Sequence, residues 1–297
     1  IFDHLMNAAP AGQSVAQGGT LAEGERLAAQ AMEHTYLNSY VAHAAMETHS
    51  AVAAIEKGKV TVWVSTQTPF PVKSQVAQAL KLAPENVRVI TPYVGGGFGG
   101  KSASLQAIEA ARLATITGTP VRVVWSRQEE FFYDTFRPAA VLKIRSGINA
   151  DKSIVFWDYL VVGAGERGAA QFYNIAHHRT VVRGGWNANS PGLHPFAIGP
   201  WRAPGANSNG FARESQIDIM AAKAGLDPVE FRLKNLSDTR MTRVLNAAAK
   251  QFGWTPKPGP SGRGVGVALG IDAGTYVASM AEVRVNKTTG AVQVVRV

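Results

Sequence analysis

The sequence predicts an α+β fold in which mixed sheets are flanked by helices. Two hairpin patterns carry the β part. Val60, Val62 and Val64 alternate after a Glu56-Lys57-Gly58-Lys59 turn, and residues 142–145 alternate before a turn at 149–151 and a returning strand at Ile154–Val162. Clear start and stop signals carry the helical part. Asp227, Pro228 and Glu230 open one helix, and Gly225 and Gly253 close two others. The third observation is the order: strands and helices do not alternate regularly, which argues against a doubly wound sheet.

In chain order, a helix is expected over residues 21–32 and a hairpin over 53–64. A polar loop, residues 65–71, opens a helix whose buried stripe is Val72, Val76 and Leu80. A strand over 87–94 runs into residues 95–100, where five of six residues are glycine, and a helix with Leu105 and Ile108 on one face follows. Residues 121–125 form a short buried strand, and Ser126 with Glu129 fits a capping box. Residues 163–210 lack periodicity and form a long irregular region, with the pair His177-His178 in a solvated loop. Helices follow over 208–224, from 228 to about 236, and over 243–252. Residues 256–262 form a Pro/Gly-rich linker before new β structure. The expected division is a main domain over 1–258 and the start of an incomplete second one over 259–297.

Composition narrows function. The chain has 297 residues, 46% of them hydrophobic, enough for a full core. There are no cysteines, which excludes disulfides, thiolate metal sites, thiol catalysis and iron–sulfur ligation within it. No apolar run approaches the ~20 residues needed to span a bilayer. The formal charge is +9, but Lys and Arg are scattered, so nucleic acid is not expected. A basic face for an anionic cofactor or an acidic partner subunit fits better.

The chemistry concentrates at the glycine loop. Strand, glycines and helix start together suggest an anion site, with N–H groups and the helix dipole aimed at one spot. Gly95, Gly100, Lys101 and Ser102 also satisfy the P-loop pattern, and Asp158 at a strand supplies a candidate Mg²⁺ partner. Gln67, between a strand and a helix, offers an amide to a ligand oxygen. Arg202, in the run Trp201-Arg202-Ala203-Pro204-Gly205, offers a bidentate anion clamp. His43, Glu47 and His49 match no standard zinc spacing, so a packed segment is expected there.

These motifs stand in an order that resembles a known family. Thr66-Gln67, Pro84 to Val89, Gly95 to Lys101, Val124 to Arg127, Arg202 to Gly205, Gly225 to Arg232 and Ala42 to His49 together resemble the large subunit of the molybdenum hydroxylases, the xanthine dehydrogenase / aldehyde oxidase family. The nearest likeness is to the isoquinoline 1-oxidoreductase and bacterial aldehyde dehydrogenase branch, whose large subunit binds molybdopterin cytosine dinucleotide. The resemblance implies a molybdenum-cofactor-binding domain of the aldehyde oxidase type. It implies a molybdopterin-dependent oxidoreductase that hydroxylates an aldehyde or N-heteroaromatic carbon with water-derived oxygen. Electrons then leave through iron–sulfur clusters, which a cysteine-free chain must find on a small partner subunit.

By the same resemblance, Gln67 hydrogen-bonds an oxygen of the molybdenum centre and Gly96, Gly97, Phe98 and Gly99 bring backbone beside it. Arg202, Ala203 and Gly205 bind the pterin, and no side chain ligates the metal directly. Ser102 stands where the xanthine branch carries a substrate-contacting Glu, which turns the expectation away from a purine. The family's catalytic Glu lies in a Gly-x-Gly-Glu motif expected beyond Val297, in further large-subunit segments. The run from Gly163 to Glu166 matches those letters but stands far too early, and the chain by itself is expected to be inactive. A P-loop nucleotide-binding protein and a non-catalytic assembly protein are the competing readings.

Overall fold

The computed structural model describes residues 1–187, 192–255 and 260–297. In chain order its elements are α1 (Phe2–Ala8), β1 (Gln13–Gly18), α2 (Leu21–Leu27), β2 (Gln30–Asn38), β3 (Val41–Ala42), β4 (Ser50–Glu56), β5 (Lys59–Val64), α3 (Pro69–Leu80), β6 (Val87–Ile90), α4 (Leu105–Thr117), β7 (Val121–Val124) and α5 (Arg127–Tyr133). They continue with β8 (Phe136–Arg137), β9 (Ala140–Ile148), β10 (Ile154–Val162), β11 (His177–Arg183), α6 (Ala206–Ala224), α7 (Pro228–Lys234), α8 (Thr239–Phe252), β12 (Arg263–Asp272), β13 (Thr275–Val285) and β14 (Val292–Arg296). The class is α+β with mixed sheets, as the sequence predicts.

The chain forms two compact units, neither of them continuous. The first comprises Ile1–Asn38, Ala139–Leu193 and Gly205–Val297, and the second Ser39–Pro138 and His194–Pro204. The described residues after 258 thus pack within the first unit. Of the expected linker, residues 256–259 lie outside the described residues.

In the first unit a five-stranded sheet has the order β1-β11-β10-β9-β2, with β10 and β11 parallel and the other pairs antiparallel. A three-stranded antiparallel sheet, β12-β13-β14, lies in the same unit. The core is built from Trp157, Tyr159, Leu142, Ile217, Phe231 and Leu245, all essentially inaccessible. Helix α6 carries most of a buried ionic knot. Glu214 accepts from Arg213 Nε and Arg232 Nε, both at 3.1 Å, from the Tyr173 hydroxyl at 3.0 Å and from the Leu269 amide at 3.0 Å. Arg232, fully buried, also donates to Asp218 at 2.7 Å. Burial lifts the Asp218 carboxyl above its ordinary range, although Arg232 pulls the other way.

The second unit holds the four-stranded sheet β6-β5-β4-β7, in which β5 and β6 are parallel and the other pairs antiparallel. The hairpin turn falls at Lys57 and Gly58, both at positive φ, as a tight two-residue connection requires. Helices α3 and α4 supply a core of Val72, Val76, Ala107, Ala110 and Ala111 against Val60 and Val62. Ser126 and Glu129 form the expected capping box on α5.

Several sequence expectations are corrected. The helix over 21–32 ends at Leu27, and β2 follows from Gln30, paired along its whole length with β9. The strand over 87–94 stops at Ile90. Leu105 is half exposed, and α4 instead buries its alanine face. The strand over 121–125 is a half-buried edge strand, β7. His177 and His178 lie on β11, inside the region expected to be irregular.

Candidate functional site

All of the loop residues singled out by the sequence, together with Gln67, Ser102, Arg202 and Ala203, lie in the second unit. Some of the loop's amides are engaged within the protein. Gly95 N–H donates to Glu47 Oε2 at 2.7 Å, Gly99 N–H to Gln67 Oε1 at 2.8 Å, Gly100 N–H to the Gly97 carbonyl at 3.0 Å and Ser102 N–H to the Gly99 carbonyl at 3.2 Å. A 3-10 turn over Gly100–Ser102 separates the loop from α4, which begins only at Leu105. The expected helix start is therefore corrected, since α4 begins only at Leu105, while among the hydrogen bonds of the described residues none is donated by the Gly96, Gly97 and Phe98 amides; side chains and turns hold the rest of the loop.

The P-loop reading fails on the lysine. The Lys101 side chain is 1% exposed, and its ammonium lies 2.6 Å from Glu47 Oε2. A P-loop lysine has to reach a phosphate, whereas this one is buried in an ion pair that also caps Gly95. Asp158, the candidate Mg²⁺ partner, belongs to the first unit and is held bidentately by Arg179, at 3.0 Å to each oxygen.

Burial pushes the Glu47 carboxyl up, but the Lys101 ammonium and the Gly95 amide outweigh it and hold it below the ordinary range. A lowered folded pKa gives stability that is fully present above the unfolded value and lost as pH falls through the folded one. The loop is thus expected to loosen on acidification. Glu47→Ala removes the partner of a buried ammonium and is expected to cost about 3 kcal/mol, read as a lowered thermal midpoint. A change under about 0.5 kcal/mol would show the pair to be inconsequential.

What the loop presents outward is set by three side chains, Gln67, Phe98 and Arg202, all of them exposed. Because the Gly99 amide can only donate, it fixes the Gln67 carboxamide with its oxygen inward. The outward end is then Nε2, a donor. Gly97 is where this contact needs a glycine: a Cβ there would lie 2.5 Å from Gln67 Oε1. Phe98 stands at φ +54° and Ala203 at φ +57°, unusual for residues with side chains and a feature that clusters at binding sites. Arg202 comes to the loop through its backbone, its N–H donating to the Phe98 carbonyl at 2.8 Å. Ser102, half-buried, accepts at its carbonyl from the Thr68 hydroxyl at 3.2 Å. Gly205 belongs to the first unit. There it caps α6 at φ +71°, so close to the Ala164 and Arg167 carbonyls that a Cβ would lie 2.9 and 3.1 Å from them.

Behind the loop lie two buried histidine–carboxylate pairs. His43 Nδ1 is 2.8 Å from Asp134 Oδ2, and its Nε2 is 2.8 Å from the Pro200 carbonyl. Glu130 Oε2 accepts from the His49 amide at 2.8 Å and faces His49 Nδ1 at 3.0 Å, while the His49 ring lies 4.6 Å from that of Trp125. His49, Glu130 and Asp134 bring three ligand atoms within 4.8 Å of one another. Those groups are engaged in the hydrogen bonds just given, and Gly100 packs directly against Asp134 Oδ2 and His43 Nδ1. Sequence reasoning missed Glu130 and Asp134. They stand one turn apart on α5 and its end, but nothing in the spacing links them to histidines 81 and 91 positions earlier. Glu166, the Gly-x-Gly-Glu decoy, is exposed after β10 in the first unit.

The family model described as the molybdopterin cofactor-binding domain matches residues 7–236. The chain is 32% identical to the aldehyde oxidoreductase molybdenum-binding subunit PaoC of Escherichia coli, over 82% of this chain and 37% of that subunit. It is 28% identical to a nicotinate dehydrogenase subunit of Pseudomonas putida, over 96% of this chain and 27% of that protein. Among solved structures, the aldehyde oxidoreductase from Desulfovibrio gigas has the same fold, with a TM-score of 0.75 at 20% identity over 97% of this chain and 35% of that one. The chain therefore spans 27–37% of the length of these relatives. With most of its length matched by that family model, the chain belongs to the molybdopterin cofactor-binding domains of the molybdenum hydroxylases.

Proposed function

We propose that this chain supplies part of the cofactor pocket of a molybdopterin-dependent oxidoreductase, and that the face carrying Gln67, Gly96, Gly97, Phe98, Gly99, Arg202 and Ala203 is its share of that pocket. Gly205, in the same run, sets the exit of that segment into α6. The observation that carries this is the fixed Gln67 amide: its oxygen is held by Gly99, so it turns a hydrogen-bond donor outward beside exposed Phe98 and Arg202. A donor amide and a guanidinium suit a cofactor bearing oxo groups and phosphates. When bound, the molybdenum cofactor supplies two-electron redox chemistry that hydroxylates carbon with water-derived oxygen. The chain's own residues orient and retain it.

The finer reading is that the cofactor is the cytosine dinucleotide form and that the substrate is an aldehyde or an N-heteroaromatic compound. Relatives named for an aldehyde and for nicotinate support the substrate class, and Ser102, in place of an acidic side chain, disfavours a purine. In this reading electrons pass to iron–sulfur clusters on a small partner subunit, outside this cysteine-free stretch. On the same reading the catalytic base and the remainder of the pocket are not supplied by these residues, which span 27–37% of the length of the relatives.

The test uses the assembled protein. Gln67→Ala and Arg202→Ala are each expected to lower retained pterin about tenfold, the worth of one charge-assisted hydrogen bond, with little change in thermal midpoint. Wild-type protein is expected to oxidise aldehydes or N-heteroaromatic compounds in preference to xanthine. Full pterin content in both variants, or a preference for xanthine, would contradict this reading.

A further inference from the structure

His43 is tied on both sides of its ring, and this has a chemical consequence for the loop. Its side chain is 1% exposed. Nε2 faces the Pro200 carbonyl, which can only accept, so that bond needs a hydrogen on Nε2. Nδ1 faces Asp134 Oδ2, while the other carboxylate oxygen already accepts the Thr135 amide at 2.7 Å. A neutral imidazole has one N–H; two acceptors call for two.

We propose that His43 is a proton-dependent positioning residue for the cofactor face, tying the Pro200 carbonyl to Asp134 as an imidazolium and so holding Arg202 against the glycine loop. The inference rests on the functional reading given above. Pro200 stands two residues before Arg202, whose amide bonds to the Phe98 carbonyl. Gly99 and Gly100 pack against the same tie: a Cβ on Gly99 would collide with the Pro200 carbonyl, and one on Gly100 would lie 2.8 Å from His43 Nδ1. Loss of the Nε2–H bond releases the carbonyl that both the loop and the Arg202 segment lean on.

The titratable groups around His43 come from three elements. Asp134 and Glu130 come from α5 and its end, and His49 from the segment just before β4. The Lys101–Glu47 pair lies one residue beyond Gly100. Burial disfavours the charged ring, but Asp134 and the Pro200 and Thr135 carbonyls outweigh it and raise the His43 pKa. A raised folded pKa places the tie's contribution fully below the ordinary histidine value, and it disappears as pH rises through the folded value. Alkalinisation, not acidification, is therefore the direction that releases this segment. It is opposite in sign to the Glu47 effect.

The test is a pH titration of the assembled protein with ring-¹⁵N histidine, with the His43 signal assigned by its loss in His43→Gln. The expected result is a ring protonated on both nitrogens at pH 7, with a midpoint above the usual histidine range that falls in Asp134→Asn. Pterin released into the filtrate is followed on the same samples. Retention is expected to weaken about tenfold above the wild-type midpoint and to shift with it in Asp134→Asn. A singly protonated His43 at pH 7, or a release midpoint that Asp134→Asn leaves unmoved, would overturn the proposal. The histidine signal reads in wild-type protein even where a variant fails to fold. It also reads without bound pterin, so a failed cofactor assignment and a failed His43 assignment give different results.

Discussion

Gly99→Ala is expected to destabilise the second unit by about 4 kcal/mol and to abolish cofactor retention. Gly99 stands at φ +118°, a conformation that costs a residue with a Cβ about 1–3 kcal/mol. The new methyl would fall on the Pro200 carbonyl, a backbone atom that cannot rotate aside. The loop has to move, and three hydrogen bonds go with it: Gly99 N–H to Gln67, Arg202 N–H to Phe98, and His43 to Pro200. Each is worth about 1 kcal/mol net. Gly118→Ala is the control. Gly118 also has a positive φ, +67°, but beyond its chain neighbours no atom lies within 4 Å of where its Cβ would be. That change is expected to cost about 1 kcal/mol. Thermal unfolding and pterin content measured on both variants check the contrast, and equal effects would show that the close approach at Gly99 does not matter.

Glu214→Ala is expected to cost about 5 kcal/mol and to leave the first unit unable to fold at 37 °C. Four donors converge on this buried carboxylate: Arg213, Arg232, Tyr173 and the Leu269 amide. Removing the shared acceptor takes the paired carboxylate from buried Arg213 and leaves Arg232 with Asp218 alone, and breaking a buried pair costs about 3–5 kcal/mol. An orphaned amide adds about 1–3 kcal/mol. Its loss also removes the side-chain acceptor of the Leu269 amide, one of the ties between α6 and β12. Glu214→Gln keeps an acceptor oxygen and is expected to cost less. The measurement is the urea midpoint of both variants, with Gln between wild type and Ala.

The α+β class, the two hairpins and the helix caps were legible because each rests on local chemistry: alternation, a turn glycine, a capping side chain. The failures have the opposite cause. Residues 28–32 favour a helix by composition, yet Gln30–Asn38 is a strand because it pairs with β9 more than a hundred residues later. His177–Arg183 becomes a strand by lying parallel to β10, a non-local pairing that no neighbouring residue announces. In the proposed site, Gln67, the loop and Arg202 drew notice as residue types suited to an anionic, oxygen-bearing ligand. The P-loop letters misled because the fate of Lys101 is decided by Glu47, 54 residues earlier. The His43–Asp134 tie was illegible for the same reason.

The measurement that tests the site most directly is molybdenum and pterin analysis of the assembled protein, wild type beside Arg202→Ala. The expected result is stoichiometric molybdenum and pterin in the wild type, cytidine monophosphate released on acid hydrolysis, and a clear loss of all three in the variant. Assembled wild-type protein that holds neither metal nor pterin, or that binds ATP through Lys101, would contradict the assignment of this face to the cofactor.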